Sequence, residues 1–241
     1  MPPDYTFRST AFAEWQQKGI TWLSTPIEIT RFFTTCFQGF DLFELLADLH
    51  TVAKKREIEW TVVRVRLMDS GNLRIEHEYD NLVDEYPLSL IRTLHIDLPR
   101  RASHEQMVLP KHLQRQGFSR DLMSAYYRQY RQSGVEVILV QAGLSGGGYA
   151  WAKYGFTATQ RSEVLRILDA AVDKGIDPEA IQELRTDVQT YYSRFTAPFP
   201  IETWARLPFG EKLLAGTVWQ GQLDLRDPEQ VQIFEAYLYK H

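Results

Sequence analysis

The stretch from His104 to Phe156 constrains the fold more than any other part of the chain. HEQMVL, His104–Leu109, reads as a short strand ended by Pro110. Gly117 precedes an amphipathic helical segment, Phe118–Ser133, with Leu122, Ala125, Tyr126 and Tyr130 on one face. Gly134 suits the C′ position that ends such a helix, where a left-handed residue is needed. VEVILVQA, Val135–Ala142, reads as a fully buried strand, and the glycine-rich turn GLSGGG leads into a short helix, YAWAKY, closed by Gly155-Phe156. Strand, helix, strand and helix in this order imply an α/β fold with a parallel, right-handed crossover.

The flanks fill in the layers. Leu42, Leu45, Leu46 and Leu49 recur at helical spacing over residues 41–56, with Lys54, Lys55 and Arg56 at the end where cations suit the helix dipole. EWTVVRVRLM, the turn DSGN and LRIEHEY make a hairpin signal. A third strand is expected within Leu88–Leu98. Aromatic residues crowd the first forty positions and just beyond: Phe12, Trp15, Trp22, Phe32, Phe33, Phe37, Phe40 and Phe43. They suit either core packing or the wall of an apolar ligand site. After residue 160 the pattern turns helical. Asp177-Pro178-Glu179 and Asp227-Pro228-Glu229 each combine an N-cap, a proline at N1 and an acid in the first turn. The expected division is a domain over residues 1–160, with 1–56 its aromatic-rich helical part, and a helical C-terminal extension or cap over 161–241. Within that extension WQGQLDL has strand character, suited to pairing with the core sheet or with another subunit.

Composition removes several function classes. The 241 residues carry a net charge of −4, and general nucleic-acid binding normally leaves a basic surplus. The single cysteine, Cys36, makes neither an intramolecular disulfide nor a cysteine-rich zinc site, and it suits a buried apolar position. His104-Glu105 is followed by valine, not histidine, at position 108, so the zinc-protease helix pattern fails and no metal is expected. MPPDYTFRST lacks a basic region followed by an apolar one, and the longest strongly apolar run is far short of a membrane span. A soluble, cytoplasmic protein is expected.

The segment around Gly117 carries the chemistry. Backbone N–H groups at a helix start are unpaired, and the dipole favours anions there. Glycine lets a phosphate approach the backbone closely, and Arg115 and Arg120 add positive charge. Gln114 to Arg120 therefore read as a pyrophosphate cradle or as an ordinary helix start with surface arginines. A competing motif is Gly143-Leu144-Ser145-Gly146-Gly147, which fits the G-x-S-x-G nucleophile elbow of hydrolases. Its histidine would have to be His241, the last residue, a poor place for a positioned base.

Gln114-Arg115-Gln116-Gly117-Phe118-Ser119 resembles the Q/R-x-x-G-x-G/A loop of the GNAT superfamily of N-acyltransferases, with Ser119 in place of the last small residue. The likeness continues through the helix, the strand and Lys153-Tyr154-Gly155-Phe156, and covers residues 88–156. GGYAWAKYGF is similar to a bacterial subgroup, some members of which acylate side chains of ribosomally made peptides. The resemblance implies a mixed, mostly antiparallel sheet with flanking helices, splayed between His104–Leu109 and Val135–Ala142. It implies an acyl-CoA co-substrate, acetyl-CoA or longer. The pantetheine arm would bond to the backbone of Met107, Val108 and Leu109, and the pyrophosphate would sit on the amides of Gln116 to Arg120, with Gln114 and Arg115 beside it. An amide near Val108 would polarise the thioester carbonyl.

The same resemblance places a general base at the start of the fourth strand, so His104 and Glu105 are the candidates. Adjacent strand residues face opposite sides, so only one of them can serve. An imidazole has the unperturbed pKa better suited to neutrality. His95 is a weaker candidate, and His112, beside the phosphate cradle, suits a surface position or a phosphate contact. The tyrosine that often protonates the leaving thiolate is replaced by Trp151, beside the pantetheine arm. Either Tyr149 substitutes or the thiolate leaves unaided. The acceptor is expected to be a primary amine on a small molecule, peptide or protein, with fatty-acylation of a lysine or ornithine side chain in a peptide as the finer expectation. The alternative is a non-catalytic module of the same fold that binds acyl-CoA or a peptide.

Overall fold

A computed structural model describes residues 9–58, 62–79, 88–143 and 146–240. The chain forms two compact units, Met1–Glu136 and Val137–His241.

The first unit opens with α1 (Ser9–Gln17) and β1 (Ile20–Trp22), followed by α2 (Pro26–Cys36) and α3 (Leu42–Lys54). Local chemistry starts both later helices. Thr25 and Glu28 make a capping box on α2, and Asp41 accepts from the Glu44 amide at the start of α3. Strands β2 (Val62–Leu67), β3 (Leu73–Tyr79), β4 (Leu88–His95) and β5 (Arg101–Val108) follow, then a 3-10 turn at Lys111–Leu113 and α4 (Phe118–Ser133). The sheet order is β1-β2-β3-β4-β5; β1 and β2 run parallel and the other neighbours antiparallel.

One face of this sheet is mostly apolar, with Val63, Val65, Leu73, Ile75, Leu90, Leu94 and Ala102 buried around His77, Arg92 and His104. Leu45, Leu46 and Leu49 of α3 and Leu122, Tyr126 and Tyr130 of α4 are buried as well. Each such side chain contributes about 1.5–3 kcal/mol through loss of apolar surface from water. The early phenylalanines belong to this interior. Phe32 stacks on Phe37 at 5.2 Å and Phe33 on Phe40 at 5.0 Å, and all four are buried. They are core, not the wall of a ligand site. Phe12 and Trp22 do line an open groove of about 510 Å³ with Leu23, Thr25 and Glu28. Gly39 is required where it stands, because a Cβ there would run into the Gln132 carbonyl at the end of α4. Cys36 is half-buried rather than buried.

The second unit holds β6 (Val137–Ala142), α5 (Gly147–Lys153), β7 (Thr157–Ala158), α6 (Arg161–Ala171) and α7 (Pro178–Arg194). After these come α8 (Glu202–Ala205), α9 (Gly210–Leu214), β8 (Trp219–Asp224) and α10 (Pro228–Leu238). Asp177 and Asp227 cap α7 and α10 as expected. WQGQLDL supplies β8, which pairs antiparallel with β6 on one side and β7 on the other. The expected boundary near residue 160 thus falls inside this unit. The extension is not wholly helical, because β8 hydrogen-bonds along β6 from Asp224 opposite Val137 to Trp219 opposite Ala142. Both units are α/β, and their sheets together are mixed and mostly antiparallel. Among the described residues no helix is long and apolar enough to cross a membrane.

Candidate functional site

β5 is where the first unit departs from a regular sheet. Its register against β4 pairs His104 with Arg92 and Gln106 with Ile91, so Glu105 is an extra residue with no opposite number. This is a β-bulge, a device that re-aims side chains and is enriched beside active sites. Strict alternation from His104 would bury Gln106. Instead Glu105 and Gln106 are both exposed, and Met107 and Val108 resume the pairing with Leu90 and Ser89.

The bulge separates the two candidate bases. His104 is 2% exposed, and its Nε2 lies 2.9 Å from the Tyr130 hydroxyl. Burial, and then the Arg92 guanidinium, hold its pKa well below the usual histidine value, so the ring is neutral. Tyr126 and Tyr130 enclose it with rings 6.1 and 5.7 Å away. The expectation of a histidine base at the site meets an imidazole sealed in the core. Glu105 lies on the opposite, half-exposed face. Arg74 donates from Nη1 to its Oε2 at 2.8 Å, and the Thr93 hydroxyl donates to its Oε1 at 2.7 Å. Arg74 also donates from Nε to Glu76 at 2.6 Å. His95 sits within reach of Ser103, 2.7 Å away, and His112 is exposed in the 3-10 turn.

Beyond β5 the chain turns into the loop before α4. Arg115 has φ 61° and Gly117 φ 80°, both left-handed. Such a backbone is free for glycine and strained for arginine. Side chains of the loop brace its own carbonyls. Gln114 Nε2 donates to Leu109 O at 2.7 Å and Gln116 Nε2 to His112 O at 2.6 Å. Arg56, just past α3, donates to the Gln116 carbonyl at 2.8 Å and lies 3.7 Å from Asp121. The two glutamines therefore shape the loop through their side chains, and the loop's offer to a ligand is backbone. Gly117 occupies the N-cap of α4 without a capping side chain, and Arg120 and Asp121 amides return to its carbonyl at 2.9 and 3.1 Å. Arg120 folds back over Gly117, so that a Cβ there would stand 3.2 Å from Nη2. Phe118 is fully buried and anchors the helix start, while Ser119 is half-buried beside it. Asp121 in the first turn opposes an anion, and its pairing with Arg56 offsets that charge.

The remaining candidates lie in the second unit. Tyr149 is half-buried, with the Lys153 ammonium 5.1 Å from its ring centroid. Trp151 is 5% exposed and packs on Tyr154 and Phe156 at 5.7 and 5.2 Å. Gly148 is closely packed on its Cα side. A Cβ there would collide with Thr217 Oγ1 and the Leu214 carbonyl. Leu144, Ser145 and His241, on which a hydrolase elbow would rest, lie outside the described residues. Among the described residues no cluster of three or more histidine, cysteine or acidic side chains could hold a metal ion.

Sequence reasoning missed Arg74, Thr93 and Arg92. A signal for Arg92 was present, since it is a lone charge within the apolar run LSLIRTL. Compared with known proteins, the chain matches no family model, no curated protein and no solved structure.

Proposed function

We propose that this protein is a GNAT-type N-acyltransferase that moves an acyl group from acyl-CoA to a primary amine. The observation that carries the reading is one continuous stretch. The bulged end of β5 runs through a braced loop into an uncapped helix start with a left-handed glycine. In this reading the CoA diphosphate lies on the loop and helix-start amides that precede Arg120, whose own amide returns to the Gly117 carbonyl, with the Arg115 and Arg120 side chains supplying charge. The pantetheine follows the backbone of Met107 to Leu109, and an amide near Val108 polarises the thioester carbonyl.

The chemistry then runs on this chain's residues. The amine reaches the site as an ammonium ion and must lose a proton before it attacks. Glu105 is the base, directly or through one water, because its carboxylate is oriented by Arg74 and Thr93 and open to solvent. The neutral nitrogen attacks the carbonyl carbon, the C–S bond breaks, CoA leaves as a thiolate without a protein acid, and the second proton of the attacking nitrogen passes to water and so to the thiolate, leaving the amide and free CoA thiol. Aligned on Lys153-Tyr154-Gly155-Phe156, the sequence has Trp151 where the resemblance expects the usual acid, and an indole N–H does not supply a proton at neutral pH. Acceptors in this class include small amines and a lysine or ornithine side chain of a peptide.

Calorimetric titration with CoA, acetyl-CoA and a medium-chain acyl-CoA tests the donor, and thiol release in the presence of amines tests turnover. The expected result is binding of CoA itself and release of thiol with at least one amine. Gly117→Glu is expected to abolish CoA binding through steric block and like-charge repulsion, and Arg120→Ala, which leaves the backbone alone, to weaken it. Parent affinity in both variants would overturn the cradle. The buried Trp151 at the acid's position favours one second reading, a non-catalytic acyl-CoA binding module. Binding with no thiol release from any amine would select it.

A further inference from the structure

Arg92 is 2% exposed, in the middle of β4, on the face that packs under α4. A guanidinium is expensive to bury, and an apolar residue at this position would pack the same face without that cost. Its contacts say what it does there. Nη1 donates to the Gln106 carbonyl at 2.6 Å and to the Ile91 carbonyl at 2.9 Å. Those two residues face each other across the register shift. A bulge takes backbone groups out of the ladder, and a buried carbonyl without a donor is costly. Arg92 supplies the donor from within the sheet.

The cation is seated by the helix above it. The Tyr126 ring lies 5.4 Å from the guanidinium carbon. His77 and His104 are buried beside it with pKa values lowered by burial and by Arg92, so both rings are neutral neighbours of the charge. The Tyr130 hydroxyl bonds His104, the residue paired with Arg92 across the ladder. Two strands and α4 thus clamp the inner side of the bulge, while Glu105 stands on its outer side.

We propose that Arg92 is a positioning residue that holds the β5 bulge from inside, so that Glu105 faces outward and the backbone of Met107 to Leu109 keeps its alignment. For its kinetic consequence this rests on the acyltransferase reading; for its structural consequence it does not. Removing Glu105 would leave a regular ladder, His104 opposite Arg92 and Gln106 opposite Ile91, in which the Gln106 carbonyl needs no side-chain donor.

The experiment compares Arg92→Met, Arg92→Lys and the parent by amide hydrogen exchange, CoA titration and steady-state thiol release. In Arg92→Met, exchange at Gln106 and Met107 is expected to rise about tenfold or more, with Val63 and Val65 in β2 unchanged. CoA affinity is expected to stay within about threefold while kcat falls on the order of a hundredfold, the effect of a misplaced reacting group. Arg92→Lys, which keeps a buried donor, is expected to recover part of kcat. Unchanged exchange at the bulge, or a uniform rise across both strands with kcat tracking the folded fraction, would overturn the proposal. If the parent neither binds CoA nor releases thiol, the acyltransferase reading fails and the exchange comparison still decides the role of Arg92. If Arg92→Met does not fold, the same substitution in a chain lacking Glu105 is expected to fold, and failure there too would overturn the proposal.

Discussion

The two faces of β5 present the same kinds of side chain in opposite physical states. On the inner face Arg92, His77, His104, Tyr126 and Tyr130 are all buried, and their ionisable groups are held away from proton exchange near neutrality. On the outer face Glu105, Arg74 and Thr93 make charge-assisted contacts that solvent reaches. Burial turns polar residues into fixed scaffold, because changing their charge would strand an ion in a low dielectric. Exposure leaves the Glu105 carboxylate in contact with solvent. The one extra residue at Glu105 is what puts the two states side by side.

Glu105→Gln breaks the comparison hardest. It keeps one acceptor oxygen for Arg74, turns its NH2 toward the Thr93 hydroxyl, which can accept instead, and removes the proton acceptor, so turnover is expected to fall by about 10²–10⁴ in a thiol-release assay. The urea midpoint should move little, and a variant with parent turnover would remove Glu105 from the chemistry.

Acid titration probes the inner face. His77 sits at about 3 in the fold, lowered by burial and by Arg92, against 6.5 when free. The unfolded chain therefore binds more protons than the folded one between those values. Stability is fully present above pH 6.5, declines as pH falls through 6.5, and stops changing from this group below about 3. The total loss is on the order of a few kcal/mol, and His104 acts in the same direction. Denaturation between pH 7.5 and 5 should show this slope, and His77→Phe should flatten it. Equal slopes in parent and variant would mean His77 is not its source.

Tyr130→Phe is a gentler cut on the same face. It leaves the His104 Nε2 without the hydroxyl 2.9 Å away, at an expected cost of about 1–3 kcal/mol in urea unfolding. CoA affinity should be unchanged. The smallest effect belongs to the outer face. Thr93→Val deletes one of the two donors to Glu105 and is expected to lower kcat by about threefold to tenfold, with stability changed by less than about 1 kcal/mol. Were Thr93→Val to cost more stability than Tyr130→Phe, the division into scaffold and working face would be reversed.

Much of this was readable along the chain. Helix starts at Asp41, Asp177 and Asp227 follow from capping side chains a few residues from their partners. The left-handed Gly117 and Gly134 at the two ends of α4 follow from local backbone preference. That His104 and Glu105 cannot share a face follows from the pleat. What local reasoning left undecided was which of them lies open. The pKa of free histidine suits His104, and burial beside Tyr130 closes that residue to solvent while Glu105 lies exposed.

By itself the sequence determined the elements whose causes are local: caps, turns, glycine stops and the period of each apolar face. Tertiary structure decided everything that depends on a distant partner. β8 joins β6 across a gap of nearly the whole second unit, which drew residues 161–241 into one body with β6. The register of β5 against β4 made Glu105 a bulge and gave Arg92 its carbonyls. Hydrogen-bond register and desolvation are properties of pairs far apart in the chain, and a residue's own neighbours carry no record of them.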